Sequence, residues 1–304
     1  MDLVFNFPWE VSLITWLQSH LPDYVIQIIS SFSAFGEVVC AVLILGFFYW
    51  GYDKEYGKKL GLTVLSIAVV TPLIKNVVLR NRPYVDHKEI KLYRLIDGEA
   101  DAMNIAAQGY SFPSGHSSNS FVIYGSLAQR ADRKWLKALL MIIPFLVGVS
   151  RVTAGAHYPT DVLGGWLLSL IMMMILEKVN QLGEKKNMFL AGIILLCMTG
   201  IFFCKSADYF SALGVLIGFV GGTVFEDKKV RFEKASTIKS CLLRLAGGLI
   251  IFGLLNVILK LPFSTEFLES GSSLSFLYRT FRYAVIAFID MGLYPMLFRH
   301  KIFR

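Results

Sequence analysis

Long apolar runs separated by short polar segments make up most of the chain. Seven runs are long enough to cross a bilayer, some only with their flanking apolar residues: 60–79, 139–149, 162–176, 188–203, 210–225, 245–259 and 283–297. A membrane-spanning helix needs about 20 mainly apolar residues. We expect one more span within residues 24–50 and a shorter one within residues 117–127. The pattern predicts an all-α, polytopic transmembrane helical bundle of about nine spans.

The polar segments divide the predicted bundle into three parts. Residues 9–21 are apolar but too short to span a bilayer, and Pro22 follows them, so we expect a short interfacial helix on the outer leaflet. Polar motifs that could carry chemistry end before the sixth span. The predicted organisation is an interfacial N-terminal segment (residues 1–22), a membrane core with the motifs (residues 23–180) and a four-span C-terminal extension (residues 181–304).

Composition and charge fit a membrane protein. The 304 residues are 55% hydrophobic, with a mean hydropathy of +0.57. The net charge of +8 does not indicate nucleic-acid binding, because the lysines and arginines fall between the spans and favour alternate loops. An excess of Lys and Arg marks cytoplasmic loops. Residues 1–53 contain no Lys or Arg, so we expect a non-cytoplasmic N-terminus and all motifs on the non-cytoplasmic face. The expected location is a bacterial plasma membrane, and the alternative is the endoplasmic reticulum with a lumenal site.

The first motif, Lys75 with Arg82 and Pro83, stands at the end of the second span. The two basic residues are about two helical turns apart, so both can face one side. The helix is expected to end at Arg82, because a following proline disfavours helical geometry. An anion between the two cations would compensate a lysine at the end of a span. For this pair alone, snorkelling to the membrane surface is the alternative.

The second motif, Pro113-Ser114-Gly115-His116, precedes the short span. Ser114 suits a helix N-cap, and Gly115 lets a ligand approach the backbone closely. Amides at a helix start bind phosphate oxygens, and His116 would lie beside the leaving group. The hydrophilic segment of residues 80–112 joins this motif to the first one, as either a surface loop or a partial lid.

The third motif places Arg151 at the end of the fourth span and His157 at the start of the fifth. Asp161 follows His157 by four positions, so the two are neighbours on one helix face. A carboxylate bonded to one ring nitrogen fixes the tautomer and leaves the other nitrogen free to attack. For this pair alone, a structural histidine is the alternative. Together on one membrane face, the three motifs favour transfer of a phosphoryl group to a histidine.

The chain resembles the type 2 phosphatidic acid phosphatase superfamily over about residues 55–180, because it carries all three signatures: Lys75-x6-Arg82-Pro83, Pro113-Ser114-Gly115-His116 and Ser150-Arg151-x5-His157-x3-Asp161. The expected number of spans is similar to that of its larger members. The superfamily includes lipid phosphate phosphatases, undecaprenyl-diphosphate phosphatases, sphingosine-phosphate phosphatases and glucose-6-phosphatase. Vanadium haloperoxidases share its site.

The resemblance implies a role for each motif residue. His157 would be the nucleophile that forms a phosphohistidine, and Asp161 would orient it. His116 would protonate the leaving alcohol and then activate water. The phosphoryl oxygens would be held by Lys75, Arg82, Ser114, Gly115 and Arg151. No metal and no cofactor is expected, and vanadate should inhibit.

The expected function is therefore metal-independent hydrolysis of a lipid phosphate monoester or diphosphate, of the phosphatidate, sphingoid-base phosphate or polyprenyl diphosphate class. The alternatives are a phosphotransferase, a sugar-phosphate phosphatase with the same site, and a non-enzymatic protein that binds or carries a phospholipid. The expected partners are the phosphorylated lipid substrate and membrane lipids, not nucleic acid.

Two further features predict contacts outside the motifs. Gly214, Gly218 and Gly222 form a small-residue stripe that permits close helix packing, either within the chain or at a homodimer seam. Arg244 and Asp290 lie inside predicted spans. We expect these two to pair, because an isolated charge in a membrane is costly.

Overall fold

The computed structural model describes residues 5–94, 101–300 and 303, and these residues form helices and connecting turns. Helices α1 to α14 are, in chain order, Pro8–His20, Asp23–Ser31, Val38–Gly46, Lys54–Val78, Pro83–Asp86, Ile105–Gln108, Gly115–Arg130, Lys134–Thr153, Pro159–Asn180, Lys186–Met198, Ala207–Phe225, Ile238–Ile258, Thr265–Glu269 and Ser273–Phe288. Within the described ranges there is no β-strand, and the predicted all-α class is confirmed.

Within the described residues, six helical segments are long and apolar enough to cross a membrane: Lys54–Asp86, Lys134–Thr153, Pro159–Asn180, Ala207–Val230, Ile238–Ile258 and Ser273–Arg299. A seventh results if Asp23–Gly36 and Val38–Tyr52, bent by 41°, form one span. The expected number of nine is not confirmed. Two of the expected spans are short helices. Helix α7 has 16 residues, and the apolar helix Lys186–Phe202 has at most 17. A span needs about 20 residues.

The chain forms two compact units, each made from two stretches of sequence. The first comprises Met1–Ala41 and Val70–Ile175, and the second comprises Val42–Val69 and Leu176–Arg304. Residues 42–69, which include the N-terminal part of α4, lie in the second unit, although the predicted core was residues 23–180. All three motifs lie in the first unit.

In the first unit, a buried apolar cluster connects α1 with the region around the ends of α8 and α9. Its members are Ile14, Tyr84, Ile90, Val152, Tyr158 and Val162. On α1, Glu10 and Ile14 are buried, whereas Trp9 and Trp16 are 51% and 55% exposed. Helix α1 therefore has one side against the protein and an aromatic outer side, as an interfacial helix would have.

In the second unit, glycines bring α11 against α14. A Cβ on Gly214 would lie 2.3 Å from the carbonyl oxygen of Thr280, and one on Gly218 would lie 2.2 Å from that of Ala284. A Cβ on Gly222 would lie 2.9 Å from a side chain just after α14. The stripe therefore provides packing within the chain. A homodimer seam at these glycines, the other expectation, would have to displace α14.

The predicted pairing of Arg244 with Asp290 was wrong. The Arg244 guanidinium donates instead to the backbone carbonyl oxygens of Trp50 (2.9 Å), Glu233 (2.8 Å) and Phe303 (2.8 Å). The Asp290 Oδ1 atom has no hydrogen-bond partner among the described residues. Carbonyl groups outside regular helix hydrogen bonding satisfy a buried guanidinium without the desolvation of a second charge.

Candidate active site

The three motifs meet at helix ends of the first unit. Arg82, just past the end of α4, has its Nη1 3.1 Å from Nε2 of His157 in the turn between α8 and α9. The Ser114 amide at the start of α7 donates to the carbonyl oxygen of Asp161 in the first turn of α9 (3.0 Å). Contacts between distant positions thus assemble the motifs into one cluster.

The contacts of Arg82 determine the tautomer of His157. The Arg82 guanidinium is buried, and it donates to the carbonyl oxygens of Gln108 (2.7 Å) and Gly109 (2.8 Å). Because a guanidinium can only donate, the His157 Nε2 that Arg82 contacts must be the acceptor. The ring proton of neutral His157 is therefore on Nδ1. This tautomer leaves Nε2 with the lone pair that an attack on phosphorus needs.

Asp161 lies beside the protonated nitrogen of His157. Its Oδ2 is 3.4 Å from His157 Nδ1 and accepts hydrogen bonds from the Ser111 hydroxyl and from the Tyr158 amide (2.8 Å). The Ser111 Oγ is also 3.4 Å from Nδ1. Both distances to the ring are long for hydrogen bonds, and such contacts tighten when substrate binds. Asp161 and Ser111 can therefore hold the ring orientation and stabilise an imidazolium.

The surroundings of His157 favour its neutral form. Burial lowers the pKa of His157 well below the usual value of 6.5, and the positive charges of Arg82, Lys75 and Arg151 lower it further. The neutral imidazole is the nucleophilic form. The site therefore holds His157 ready to attack at neutral pH.

Arg151 is buried, and part of its guanidinium lacks acceptors in the described part of the chain. Only 1% of the residue is exposed, and neither Nε nor Nη2 forms a hydrogen bond with any described residue. A buried charge without acceptors is unfavourable. An anion would supply both the opposite charge and the acceptors, and the forked guanidinium matches two phosphate oxygens.

The start of α7 is open to a ligand on one side and tightly packed on the other. The Ser114 hydroxyl caps the helix by accepting the Ser117 amide hydrogen (3.4 Å). A Cβ on Gly115 would meet no atom closer than 3.8 Å, whereas a Cβ on Gly165 of α9 would lie 2.8 Å from the Ser114 carbonyl oxygen. Gly165 thus lets α9 approach Ser114, and Gly115 leaves the N-terminal amides accessible to phosphate oxygens.

Lys75 and His116 complete the predicted set. The Lys75 ammonium group donates to the carbonyl oxygens of Tyr110 and Ser111, which tethers the segment before α7. The His116 backbone is packed against Gly36, where a Cβ would lie 2.6 Å from the His116 carbonyl oxygen. The donors of the site are cations and amides, which suit an anion. Among the described residues, no group of three or more His, Cys, Asp or Glu could hold a metal ion.

Sequence reasoning missed Arg80 and Glu10. Arg80 is 1% exposed, and its Nη1 is 2.6 Å from Oδ1 of Asp161. Its Nη2 is 2.7 Å from Oε2 of Glu10. A local signal for Arg80 existed, since Arg-x-Arg-Pro directly after a span places two arginines at the same helix end. Glu10 had no such signal, because its partner Arg80 is 70 positions away.

The C-terminal end of the segment between the first two motifs contributes to the site. Its last residues supply the carbonyl oxygens that hold Arg82 and Lys75. Near its middle, Arg94 forms an ion pair of 2.5 Å with Glu37, a residue for which the sequence indicated no partner. Residues 95–100 lie outside the described part of the chain. The described end of the segment is therefore part of the site wall.

Two known family models match parts of this chain. Residues 56–182 match the family model of the PAP2 superfamily, and residues 210–302 match that of the PAP2 superfamily phosphatase, transmembrane extension. The first match contains all three motifs.

Relatives with assigned activities include undecaprenyl-diphosphatase BcrC of Bacillus subtilis (strain 168). It is 28% identical over 166 residues, which are 54% of this chain and 79% of that protein. Phosphatidylglycerophosphatase B of the same organism is 35% identical over 89 residues, which are 25% of this chain and 44% of that protein. Among solved structures, LpxE of Aquifex aeolicus is similar with a TM-score of 0.48 and 24% identity, over 59% of this chain and 99% of that one.

Proposed function

The chain belongs to the PAP2 superfamily and is a multi-pass membrane phosphatase, and from this premise we propose that it hydrolyses a lipid phosphate monoester or diphosphate through a phosphohistidine at His157. One observation carries the proposal. The Arg151 atoms Nε and Nη2, which have no hydrogen-bond partner among the described residues, lie in the same cluster as His157 Nε2, which has a lone pair. The first feature favours a phosphoryl group as ligand, and the second provides the nucleophile to accept it.

The first chemical step forms the phosphohistidine. His157 Nε2 attacks phosphorus while the bond from phosphorus to the leaving oxygen breaks, and the bond's electron pair stays on that oxygen with a proton from His116. Asp161 stabilises the charge that develops on the ring through Nδ1–H. Arg82 and Arg151 neutralise charge on the phosphoryl oxygens. Fixed donors of this kind lower the barrier to phosphoryl transfer by positioning and electrostatics.

The second step returns the enzyme to its starting state. His116, now neutral, takes a proton from water as the water oxygen attacks phosphorus. The bond between phosphorus and Nε2 of His157 breaks, its electron pair returns to the nitrogen, and phosphate leaves. General acid and base help of this kind contributes roughly 10²–10⁴-fold.

A lipid is the proposed substrate class. The relatives named above act, by their names, on undecaprenyl diphosphate and phosphatidylglycerophosphate. In this chain Lys75, Arg151 and Asp161 lie near the ends of helices long and apolar enough to span a bilayer. A lipid phosphate would present its headgroup at such helix ends. A sugar-phosphate phosphatase and a phosphotransferase share the same chemistry, and the products distinguish them.

The proposed side of the membrane is the non-cytoplasmic one, with the bacterial plasma membrane as the proposed location. Support comes from the basic residues, which are absent from positions 1–53 and favour alternate loops on the side opposite the motifs.

Phosphate release by detergent-purified protein tests the function. The substrates are phosphatidic acid, sphingosine-1-phosphate, undecaprenyl diphosphate and glucose-6-phosphate, with EDTA present throughout. We expect release from at least one lipid, inhibition by vanadate, and loss of release in His157→Ala but not in the control His300→Ala. Release only from glucose-6-phosphate, or equal release by His157→Ala, would contradict the proposal. Phosphate found on an added alcohol instead of in solution would identify a transferase.

A further inference from the structure

Glu10, on the N-terminal helix α1, is a buried carboxylate with four hydrogen-bond donors around it. Its Oε1 accepts from the amide (3.0 Å) and the hydroxyl (2.6 Å) of Thr160 at the start of α9. Its Oε2 accepts from the Phe7 amide (3.0 Å) and from Nη2 of Arg80 (2.7 Å). Burying a charge to this extent is costly unless it is fully paired. The Phe7 contact caps α1, whereas the contacts with Thr160 and Arg80 connect the carboxylate to the start of α9 and to a neighbour of Asp161.

Arg80 connects this carboxylate to that of Asp161. One Arg80 nitrogen, Nη2, contacts Glu10, and the other, Nη1, contacts Oδ1 of Asp161 at 2.6 Å. Its Nε donates to the Phe5 carbonyl oxygen (2.7 Å), and its guanidinium lies 4.1 Å from the centre of the Tyr158 ring. Contacts at Nη1, Nη2 and Nε and with the Tyr158 ring therefore hold the Arg80 guanidinium in one orientation.

The bridge determines which oxygen of Asp161 faces the nucleophile. Because Arg80 occupies Oδ1, the other oxygen, Oδ2, is turned to His157 Nδ1 and to the Ser111 hydroxyl. The charges matter as well as the geometry. Arg80 alone would neutralise the charge of Asp161. With Glu10 added, the side chains of Glu10, Arg80 and Asp161 have a net charge of −1, beside the His157 ring that becomes positive during phosphoryl transfer.

We propose that Glu10 and Arg80 are positioning residues for the reaction, which act through Asp161 on the orientation and charge stabilisation of His157. This inference rests on the proposed function. It assigns the N-terminal helix a part in catalysis, because α1 supplies the second carboxylate of the buried network. Their effect is therefore on the chemical step rather than on phosphate binding.

The test uses variants of similar shape in the full chain: Glu10→Gln, Arg80→Lys and Arg80→Gln, with Glu177→Gln as a control at an exposed ion pair with Lys59. For each, kcat and KM are measured with the best lipid substrate, together with inhibition by vanadate and thermal unfolding. We expect kcat to fall at least about tenfold in Glu10→Gln and further in Arg80→Gln, as for a lost orienting group. KM should change less than about threefold, whereas vanadate, an analogue of the transition state, should bind more weakly in proportion to the loss in kcat.

Two results would overturn the proposal: kcat within twofold of the original in folded Glu10→Gln and Arg80→Lys, or a loss that appears only in KM. If Arg80→Gln does not fold, the Glu10→Gln and Arg80→Lys variants decide, since glutamine has the shape of glutamate and lysine keeps the positive charge of arginine. The proposed function is checked separately by the unmodified chain and His157→Ala. Absence of release by the unmodified chain refutes the function, whereas normal release with unaffected variants refutes only the positioning role.

Discussion

At the residue scale, the protonation of His157 sets the lower pH limit of the reaction. Burial and neighbouring cations hold the pKa of His157 well below 6.5, so the ring stays neutral as pH falls through that value and takes up a proton only at lower pH. We expect the acid limb of kcat/KM, which reports protonation of His157, to lie well below pH 6.5. Loss of the proton from His116, whose pKa is also lowered by burial and nearby cations, should appear as a fall toward higher pH. Measurement from about pH 5 to pH 8, corrected for the substrate's own ionisation, checks this. An acid limb at or above pH 6.5 would contradict it.

Arg151 is expected to support activity at the expense of stability. Its buried Nε and Nη2 have no partner among the described residues. Arg151→Gln should therefore lower kcat/KM at least about 100-fold, because it removes a donor to the phosphoryl oxygens. In phosphate-free buffer the same variant should unfold at an equal or higher temperature, since an unpaired buried charge is gone.

Phosphate release and thermal unfolding of the same preparation measure both effects for Arg151→Gln. Arg133→Gln, at an exposed arginine before α8, is the matched control and should change neither quantity. A folded Arg151→Gln protein that retains more than a tenth of the activity would argue against a phosphate contact at this residue.

At the element scale, the packing of α11 on α14 depends on glycines with no room for a side chain. A Cβ on Gly218 would lie 2.2 Å from the backbone oxygen of Ala284, whereas a Cβ on Gly253 of α12 would meet no atom within 4 Å. We expect Gly218→Ala to destabilise the protein by about 1–3 kcal/mol, the usual cost of overpacking. Gly253→Ala should not, since Ala is favoured over Gly in a helix.

Thermal unfolding of the two glycine variants in one detergent compares these effects directly. Equal unfolding temperatures for Gly218→Ala and Gly253→Ala would show that α11 and α14 are not held in the contact described. Since both substitutions add one methyl group to a helix of the second unit, the difference isolates the packing.

At the scale of the whole molecule, the distribution of basic residues predicts the side of the membrane on which the site lies. Three of the four cysteines are buried and Cys40 is partly buried, so the background of thiol labelling should be low. Cysteines introduced at two exposed lysines, Lys88→Cys between the first two motifs and Lys137→Cys near the start of α8, report opposite sides.

In right-side-out membranes, a membrane-impermeant maleimide should label Lys88→Cys directly and Lys137→Cys only after permeabilisation. The unsubstituted chain gives the background. The reverse order of labelling would place the site on the cytoplasmic face and refute the orientation inferred from the loops.

Local features of the sequence determine the membrane helices of this protein and part of its candidate site. Apolar runs specify membrane helices because each helix must satisfy its own backbone hydrogen bonds in a bilayer. The helix start at Ser114 is also local, and the structure has it. His157 and Asp161 lie close together as expected, but His157 is in the turn before α9 and not on the same helix. In the described part of the chain, six or at most seven of the nine expected spans are long enough to cross a membrane, because apolarity alone does not set where a helix ends.

Only the tertiary structure decided which charges meet. Arg80, considered a loop residue from sequence, is buried between Glu10 and Asp161, and Arg244 is satisfied by carbonyl oxygens instead of by Asp290. Glu10 and Arg80 are 70 positions apart in the sequence, and Arg244 and Trp50 are 194 positions apart. Hydrophobic pattern and helix caps act over a few residues. The partner of a buried charge depends on which helix ends come together, and that is a property of the folded chain.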